Sequence, residues 1–232
     1  MKIGILQTGD APAELTEFGT YPDMFEQLLA GRGFTFARWR VNGMEFPDAV
    51  TDCDGWLITG SRHGVYEDHP FIAPLEQFIR DAFAAKIPVA GICFGHQIMA
   101  QALGGKVKKF AGGWSVGQTE YDFGGETLRL NAWHQDQVVE KPDTATVIAS
   151  SPFCRYAALA YGDLGYSVQA HPEYGDGFIE GLIDTRGKGV VPDDLMTQAR
   201  AKFGGKTDSD RIADQLARFF TAAHDARARA AS

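Results

Sequence analysis

The chain has 232 residues, 44% of them hydrophobic and 22% charged, with a formal net charge of −8. That length and balance suit a soluble globular protein with one sizeable core, and an acidic chain offers no basic face for phosphate backbones, so nucleic acid is not an expected partner. No apolar run reaches the length of a membrane span. The opening residues M-K-I-G-I-L-Q read as a strand rather than a signal peptide. Three widely spaced cysteines, Cys53, Cys93 and Cys154, indicate neither a disulfide framework nor a zinc cluster. A reducing, cytoplasmic setting is expected, with no membrane association, no bound metal and no cofactor.

In chain order, residues 2–7 read as a short apolar strand and 8–19 as a long loop. Thr20 is placed to cap a helix, with Pro22 in its first turn and Asp23 in the capping-box position. Met24, Phe25, Leu28 and Leu29 form its apolar face, and Gly31 or Gly33 ends it. Residues 34–41 alternate as a second strand with Phe34, Phe36 and Trp39 inward. Residues 54–59 are a third, followed by a glycine-bounded loop over 60–64. Pro74 is expected to open the next helix, because Leu75, Phe78, Ile79, Ala82 and Phe83 recur at helical spacing and Lys86 lies at the negative end.

The next stretch, I-P-V-A-G-I-C-F-G-H-Q-I-M-A-Q-A-L-G-G, organises the chain. Residues 89–92 read as a buried strand, with Pro88 at its entry. Ile98, Met99, Ala102 and Leu103 then fall at helical spacing, and Gly104 and Gly105 sit where a left-handed terminator belongs. Cys93 therefore occupies the turn between strand and helix. Gly91 and Gly95 remove the Cβ atoms that would crowd it there. This is the geometry of a nucleophile elbow with cysteine in place of serine. A helix N-terminus favours negative charge at that position, and the N–H of Phe94 would point at the oxyanion of an attacked carbonyl. The competing interpretation is a small buried hydrophobe in a chance G-x-C-x-G.

After Gly105 short strand-like runs crowd together, at 107–110, 127–132, 138–141, 145–149, 156–161 and 166–170, with connections rich in Gly, Pro and Asp. They are expected to supply the remaining central strands and a small β appendage. From Gly175 the chain turns helical, Phe178, Ile179, Leu182 and Ile183 forming one apolar face and Ile212, Leu216, Phe219 and Phe220 another. The Ala/Arg tail after Ala222 is expected to fray. The β-α-β-α-β order implies a mostly parallel sheet with helices on both faces and ligands at the carboxyl ends of its strands. No repeat or linker divides the chain, so residues 1–232 read as a single domain with a helical C-terminal extension over about 186–232.

A thiolate nucleophile needs a proton carrier. His224 lies in the tail, His63 and His69 in a loop, and His96 too near Cys93 in sequence to face it. His134 and His171 remain, each at the end of a β run. His171 has the stronger case, because the strand period of two in His171-Pro172-Glu173 puts the carboxylate of Glu173 beside the imidazole as its orienter. A solvated strand end with an incidental turn proline is the alternative. No H-x-H, H-E-x-x-H or C-x-x-C spacing points to zinc.

The G-I-C-F-G-H-Q elbow together with H-P-E resembles the class I (triad) glutamine amidotransferases, and most resembles free-standing members similar to the amidotransferase domain of GMP synthase. The resemblance runs in element order from about residue 1 to 185. It implies a flavodoxin-like three-layer sandwich with a mostly parallel central sheet, plus a small β appendage and a helical C-terminus. It also implies Cys93 as nucleophile, His171 as base and Glu173 as its orienter. By the same resemblance Gly60 completes the oxyanion hole with Phe94, Gln97 contacts glutamine, and the backbone of Ser115, Val116 and Gly117, after Trp114, holds the amino-acid head. His134 and Asp136 form an H-x-D pattern without an assigned role. The loop after Gly60 reads S-R-H-G-V-Y-E-D, where related domains more often carry a proline-containing turn.

The implied activity is hydrolysis of a γ-glutamyl amide through a thioester. No synthetase module is read on this chain, so ammonia would pass to a separate synthetase subunit. Alternatively the substrate is a γ-glutamyl peptide or conjugate, since free-standing relatives of this type include γ-glutamyl peptidases. A non-catalytic binding or regulatory subunit that keeps the fold is a third alternative, and the intact triad argues against it.

Overall fold

The computed structural model describes residues 1–230. In chain order the strands and helices are β1 (Lys2–Leu6), α1 (Tyr21–Leu28), β2 (Thr35–Trp39), β3 (Gly55–Ile58), α2 (Ile72–Ala84), β4 (Val89–Ile92) and α3 (Phe94–Ala102). There follow β5 (Lys106–Lys109), β6 (Ser115–Phe123), β7 (Glu126–His134), β8 (Asp136–Glu140), β9 (Thr146–Ala149), β10 (Ala158–Tyr161) and β11 (Gly165–Val168). The chain closes with α4 (Asp176–Leu182), α5 (Asp193–Arg200) and α6 (Ser209–Ala230).

The main sheet has the order β2-β1-β3-β4-β11-β10-β9. Its first five strands are parallel, and β10 and β9 add antiparallel at one edge. The parallel part is the doubly wound 2-1-3-4-5 arrangement, which leaves its ligand crevice at the carboxyl strand ends. Strand alternation divides the core between the two faces. Trp56 and Ile58 of β3 join Leu75, Ile79, Ile98 and Met99 under α2 and α3. Leu57, between them, joins Phe25, Ile212, Leu216 and Phe220 under α1 and α6. Trp39 packs on the first face and Phe34 and Phe36 on the second, as a period of two requires.

Local signals set most boundaries. Thr20 and Asp23 form a reciprocal capping box, Thr20 N–H donating to Asp23 Oδ2 at 2.7 Å. Gly104 takes a positive φ of 98° just after α3. Helix α2 begins at Ile72, two residues before Pro74, because the first-turn N–H groups have no intrahelical acceptor and proline costs nothing there.

Two expectations need correcting. The nine-residue strand β6 is not among the expected runs; it pairs with β7 along its whole length, from Ser115 opposite His134 to Phe123 opposite Glu126. The tail after Ala222 does not fray within the described residues. Helix α6 continues to Ala230 and buries Ala223, with Ala and Arg both strong helix formers; residues 231–232 of that tail lie outside the described residues. The segment over 186–232 also contributes Ile212, Leu216 and Phe220 to the main core.

Candidate active site

Three neighbouring parallel strands end side by side. Ile58 of β3 is level with Gly91 of β4, and Val168 of β11 is level with Ile92. The next residues along each strand bring Gly60, Cys93 and His171 to one edge, and Cys93 N–H donates to the carbonyl of Val168 at 2.9 Å.

Cys93 caps α3 with φ 53° and ψ −101°. A non-glycine residue held there costs on the order of 1–3 kcal/mol and is tolerated where the surroundings over-determine it. The surroundings are tight. A Cβ on Gly91 would lie 2.4 Å from the carbonyl of Gly95, and one on Gly95 would lie 2.3 Å from the carbonyl oxygen of Ile58. Gly95→Ala must therefore push the end of β3 away from the elbow. It is expected to cost roughly 1–3 kcal/mol, the usual scale of overpacking, read as a lower denaturation midpoint with unchanged slope. An unmoved midpoint would mean that the elbow has slack the distances deny.

His171 Nδ1 lies 2.7 Å from Glu173 Oε1, with the two side chains 3% and 1% exposed. The ring is fixed by Tyr174, stacked at 4.0 Å and 6°, and the backbone by His171 N–H donating to Asn131 of β7 at 2.8 Å. Burial alone would disfavour the imidazolium. The charges of Glu173 and Cys93, with hydrogen bonds to both, outweigh it and push His171 up to about 10. Gly60 closes the third side, since a Cβ there would meet His171 Cε1 at 2.9 Å and Cys93 Cβ at 3.8 Å. The elements thus bring Cys93, His171, Glu173 and Gly60 together. Phe94 follows as the first residue of α3, where its N–H has no intrahelical acceptor.

Other expected site residues are placed less directly. Gln97 lines the cleft, but its amide donates to the carbonyl of Asp136 at 2.9 Å and to Gln169 Oε1 at 3.0 Å, leaving its own Oε1 to offer. Ser115, Val116 and Gly117 open β6; Ser115 is buried, and Val116 packs with Trp114 and Trp133. Trp114 is the member of this stretch on the cleft wall. Burial drives His134 down to about 3, so its imidazole is neutral. Its Nδ1 faces the carbonyl of Asp136 at 3.3 Å, and its buried Nε2 has no protein partner. His96 is fully buried against Ser167 Oγ at 2.8 Å.

Gln169, which the sequence did not single out, joins this cluster: it donates to Cys93 Sγ at 3.6 Å and ties Gln97 to the thiol. Its position just past the end of β11, two residues before His171, is the available signal. The cleft, about 190 Å³, is bounded by Cys93, Gln97, Trp114 and His134, and by Arg62 and Tyr66 of the loop after β3. That loop also gathers His63, Glu67 and His69, whose donor atoms all lie within 4.8 Å of one another, a grouping that the usual zinc spacings do not describe.

A model of the class-I glutamine amidotransferase family matches residues 20–178. The chain is 31% identical to gamma-glutamyl peptidase 4 of Arabidopsis thaliana, over 77% of this chain and 78% of that one. It is 38% identical to a subunit of the glutamine-hydrolyzing GMP synthase of Methanopyrus kandleri, but over 41% of this chain and 56% of that one. The fold is similar to the crystal structure of a glutamine amido transferase from Methylobacillus flagellatus, with TM-score 0.73, 21% identity, and coverage of 96% of this chain and 94% of that one. With an elbow cysteine, a paired histidine and a family model spanning both, the chain belongs to the class-I glutamine amidotransferases.

Proposed function

We propose that Cys93, His171 and Glu173 are a catalytic triad that hydrolyses a γ-glutamyl amide. A class-I glutamine amidotransferase acts on such amides, and the chain is an amidohydrolase of this kind. The observation that carries the assignment is the strained Cys93 elbow beside an imidazole whose charge is stabilised by a buried carboxylate. The Cys93 sulfur attacks the γ-carbonyl carbon, and its oxygen becomes an oxyanion that the N–H groups of Gly60 and Phe94 receive. As the C–N bond breaks, His171 gives its proton to the departing nitrogen, which leaves as ammonia or an amine. Water then adds to the thioester, giving a proton to His171. The C–S bond breaks, glutamate is released and the thiolate returns to its pairing with the imidazolium. Glu173 holds the ring throughout and does not itself carry the proton. Trp114 and the backbone over 115–117 hold the amino-acid half. The unpartnered Nε2 of neutral His134 is suited to accept a hydrogen bond from the α-ammonium.

The leaving half is proposed to be a peptide or a conjugated amine. The similarity to gamma-glutamyl peptidase 4 extends over most of both chains, whereas that to the GMP synthase protein covers less than half of this one. Arg62 and His63 also stand between the Cys93 cleft and a second recess bounded by Asp10, Asn42 and Arg186, giving the departing group a place beyond the scissile bond. Glutamate release should therefore be at least about tenfold faster per kcat/KM from γ-glutamyl dipeptides than from glutamine. The reverse preference, or a rise in glutaminase rate on adding a partner synthetase, would favour ammonia delivery instead. Arg62→Ala or Tyr66→Phe should change the ranking of leaving amines and leave a simple γ-glutamyl anilide nearly unchanged. Equal losses on every substrate would place that loop in the catalytic core.

A further inference from the structure

We propose that the loop after β3 carries a binding site for a divalent transition cation of the zinc type, formed by His63 Nδ1, Glu67 Oε2 and His69 Nε2 at the mouth of the cleft. Glu67 Oε2 stands 3.5 Å from His63 Nδ1 and 2.8 Å from His69 Nε2. The two imidazole rings lie side by side, their centroids 4.0 Å apart. Bonds of about 2.0–2.1 Å in a tetrahedral shell separate neighbouring ligand atoms by about 3.3 Å. Both distances to Glu67 are within a side-chain adjustment of that value. Each imidazole would bind through its unprotonated nitrogen, with the ring proton on the other one.

The ligands are held in place rather than loose. Glu67 N–H donates to the carbonyl of Gly64 at 3.1 Å and His69 N–H to that of Glu67 at 3.0 Å. Val65 is fully buried in the core, and its carbonyl accepts from Gln101 Nε2 at 2.8 Å. Tyr66 O–H reaches Asp136 Oδ2 at 3.0 Å, and both rings rest on Phe71. A site ordered before binding loses less entropy on binding.

The donor set decides the ligand class. Two imidazoles and one carboxylate suit zinc, copper, nickel or cobalt, whereas magnesium and calcium take oxygen shells. The three side chains are 25%, 45% and 31% exposed, which leaves room for water or a small ligand on the open side. His63 and Glu67 share the cleft wall with Cys93. A cation here therefore stands at the entrance, distinct from the triad, and the inference does not depend on which amide is cleaved.

The test must separate this site from the Cys93 sulfur, a competing soft ligand. Titration of the full chain with Co2+, followed by visible absorption and by competition with Zn2+, should give one site with nitrogen–oxygen d–d bands. Binding should survive Cys93→Ser and resist millimolar Mg2+. It should weaken at least tenfold in His69→Ala and in His63→Ala, and less in Glu67→Gln. Thermal melts of each variant, unchanged without metal, would exclude unfolding as the cause; if a histidine variant melts early, its glutamine counterpart replaces it in the titration. Absence of binding, displacement by Mg2+, or binding lost in Cys93→Ser and kept in both histidine variants would overturn the proposal.

Discussion

Replacing Cys93 with serine is expected to lower turnover by at least about three decades while leaving the fold intact, the scale seen when a nucleophile acting as part of a unit is removed. Serine is close in size, so the elbow, with its positive φ and its glycine neighbours, accepts it without new contacts. The chemistry does not transfer. The alcohol must lose its proton during attack, whereas the cysteine is paired with an imidazole whose charged form it helps to stabilise. A diazo-ketone analogue of glutamine should label Cys93 alone. Burial pushes the Cys53 thiol up to about 11 and the Cys154 thiol up to about 12, so neither competes as a nucleophile near neutral pH. Mass spectrometry placing the adduct on either of these, or a Cys93→Ser protein with more than a tenth of the wild-type rate, would remove Cys93 from its role.

Much of the candidate site was legible because its parts are local. The elbow is written in seven contiguous residues, and its geometry follows from an apolar strand running straight into a helix across two glycines. A strand period of two predicts the His171–Glu173 pair, but β11 ends at Val168 and the two side chains meet across a turn instead. What joins these parts, namely that β11 lies beside β4 and that β3 ends next to it, is a pairing of strands far apart in sequence. The parallel-sheet rule predicts ligands at carboxyl strand ends but does not say which ends adjoin.

The unforeseen features share a different cause. β6 has no clean apolar alternation, since its Ser115, Gly117, Gln118 and Tyr121 are buried while Val116 is half-exposed; it is specified by its pairing with β7 rather than by its own pattern. Gln169 gains its place only when Cys93 and Gln97 arrive from another element. The His63–Glu67–His69 group depends on a loop that folds back on itself, joining an i,i+4 pair to an i,i+2 pair, so the three together match no single helical or strand-borne metal motif. The tail, whose apolar side chains are all alanine, is helical as far as Ala230 because α6 has one buried stripe through Ile212, Leu216, Phe220 and Ala223 that carries it onto the sheet.

His171→Ala should slow turnover by about two to four decades, the usual contribution of a positioned acid–base group. Glu173→Gln should cost less in rate at neutral pH, because the proton carrier remains and only its charge partner and orientation weaken. The two variants separate further by pH. In the wild type, opposing charges hold His171 up to about 10, so the proton proposed to pass to the leaving nitrogen is lost only in alkaline solution. Glu173→Gln removes the largest of the raising influences. The alkaline limb of kcat/KM should then move toward neutrality, the direction expected when an anionic partner is taken from a histidine. Stability must move with it. A raised folded-state value means the charged pair stabilises the fold fully below the ordinary histidine value near 6.5 and loses that contribution as pH rises through about 10. Thermal midpoints measured from pH 6 to 10 should fall with pH in the wild type and stay flatter in Glu173→Gln. His134 offers no substitute, because burial keeps it neutral and its Nδ1 is turned to the carbonyl of Asp136. Near wild-type turnover in His171→Ala, or an alkaline limb that Glu173→Gln leaves in place, would break the assignment of the proton to His171.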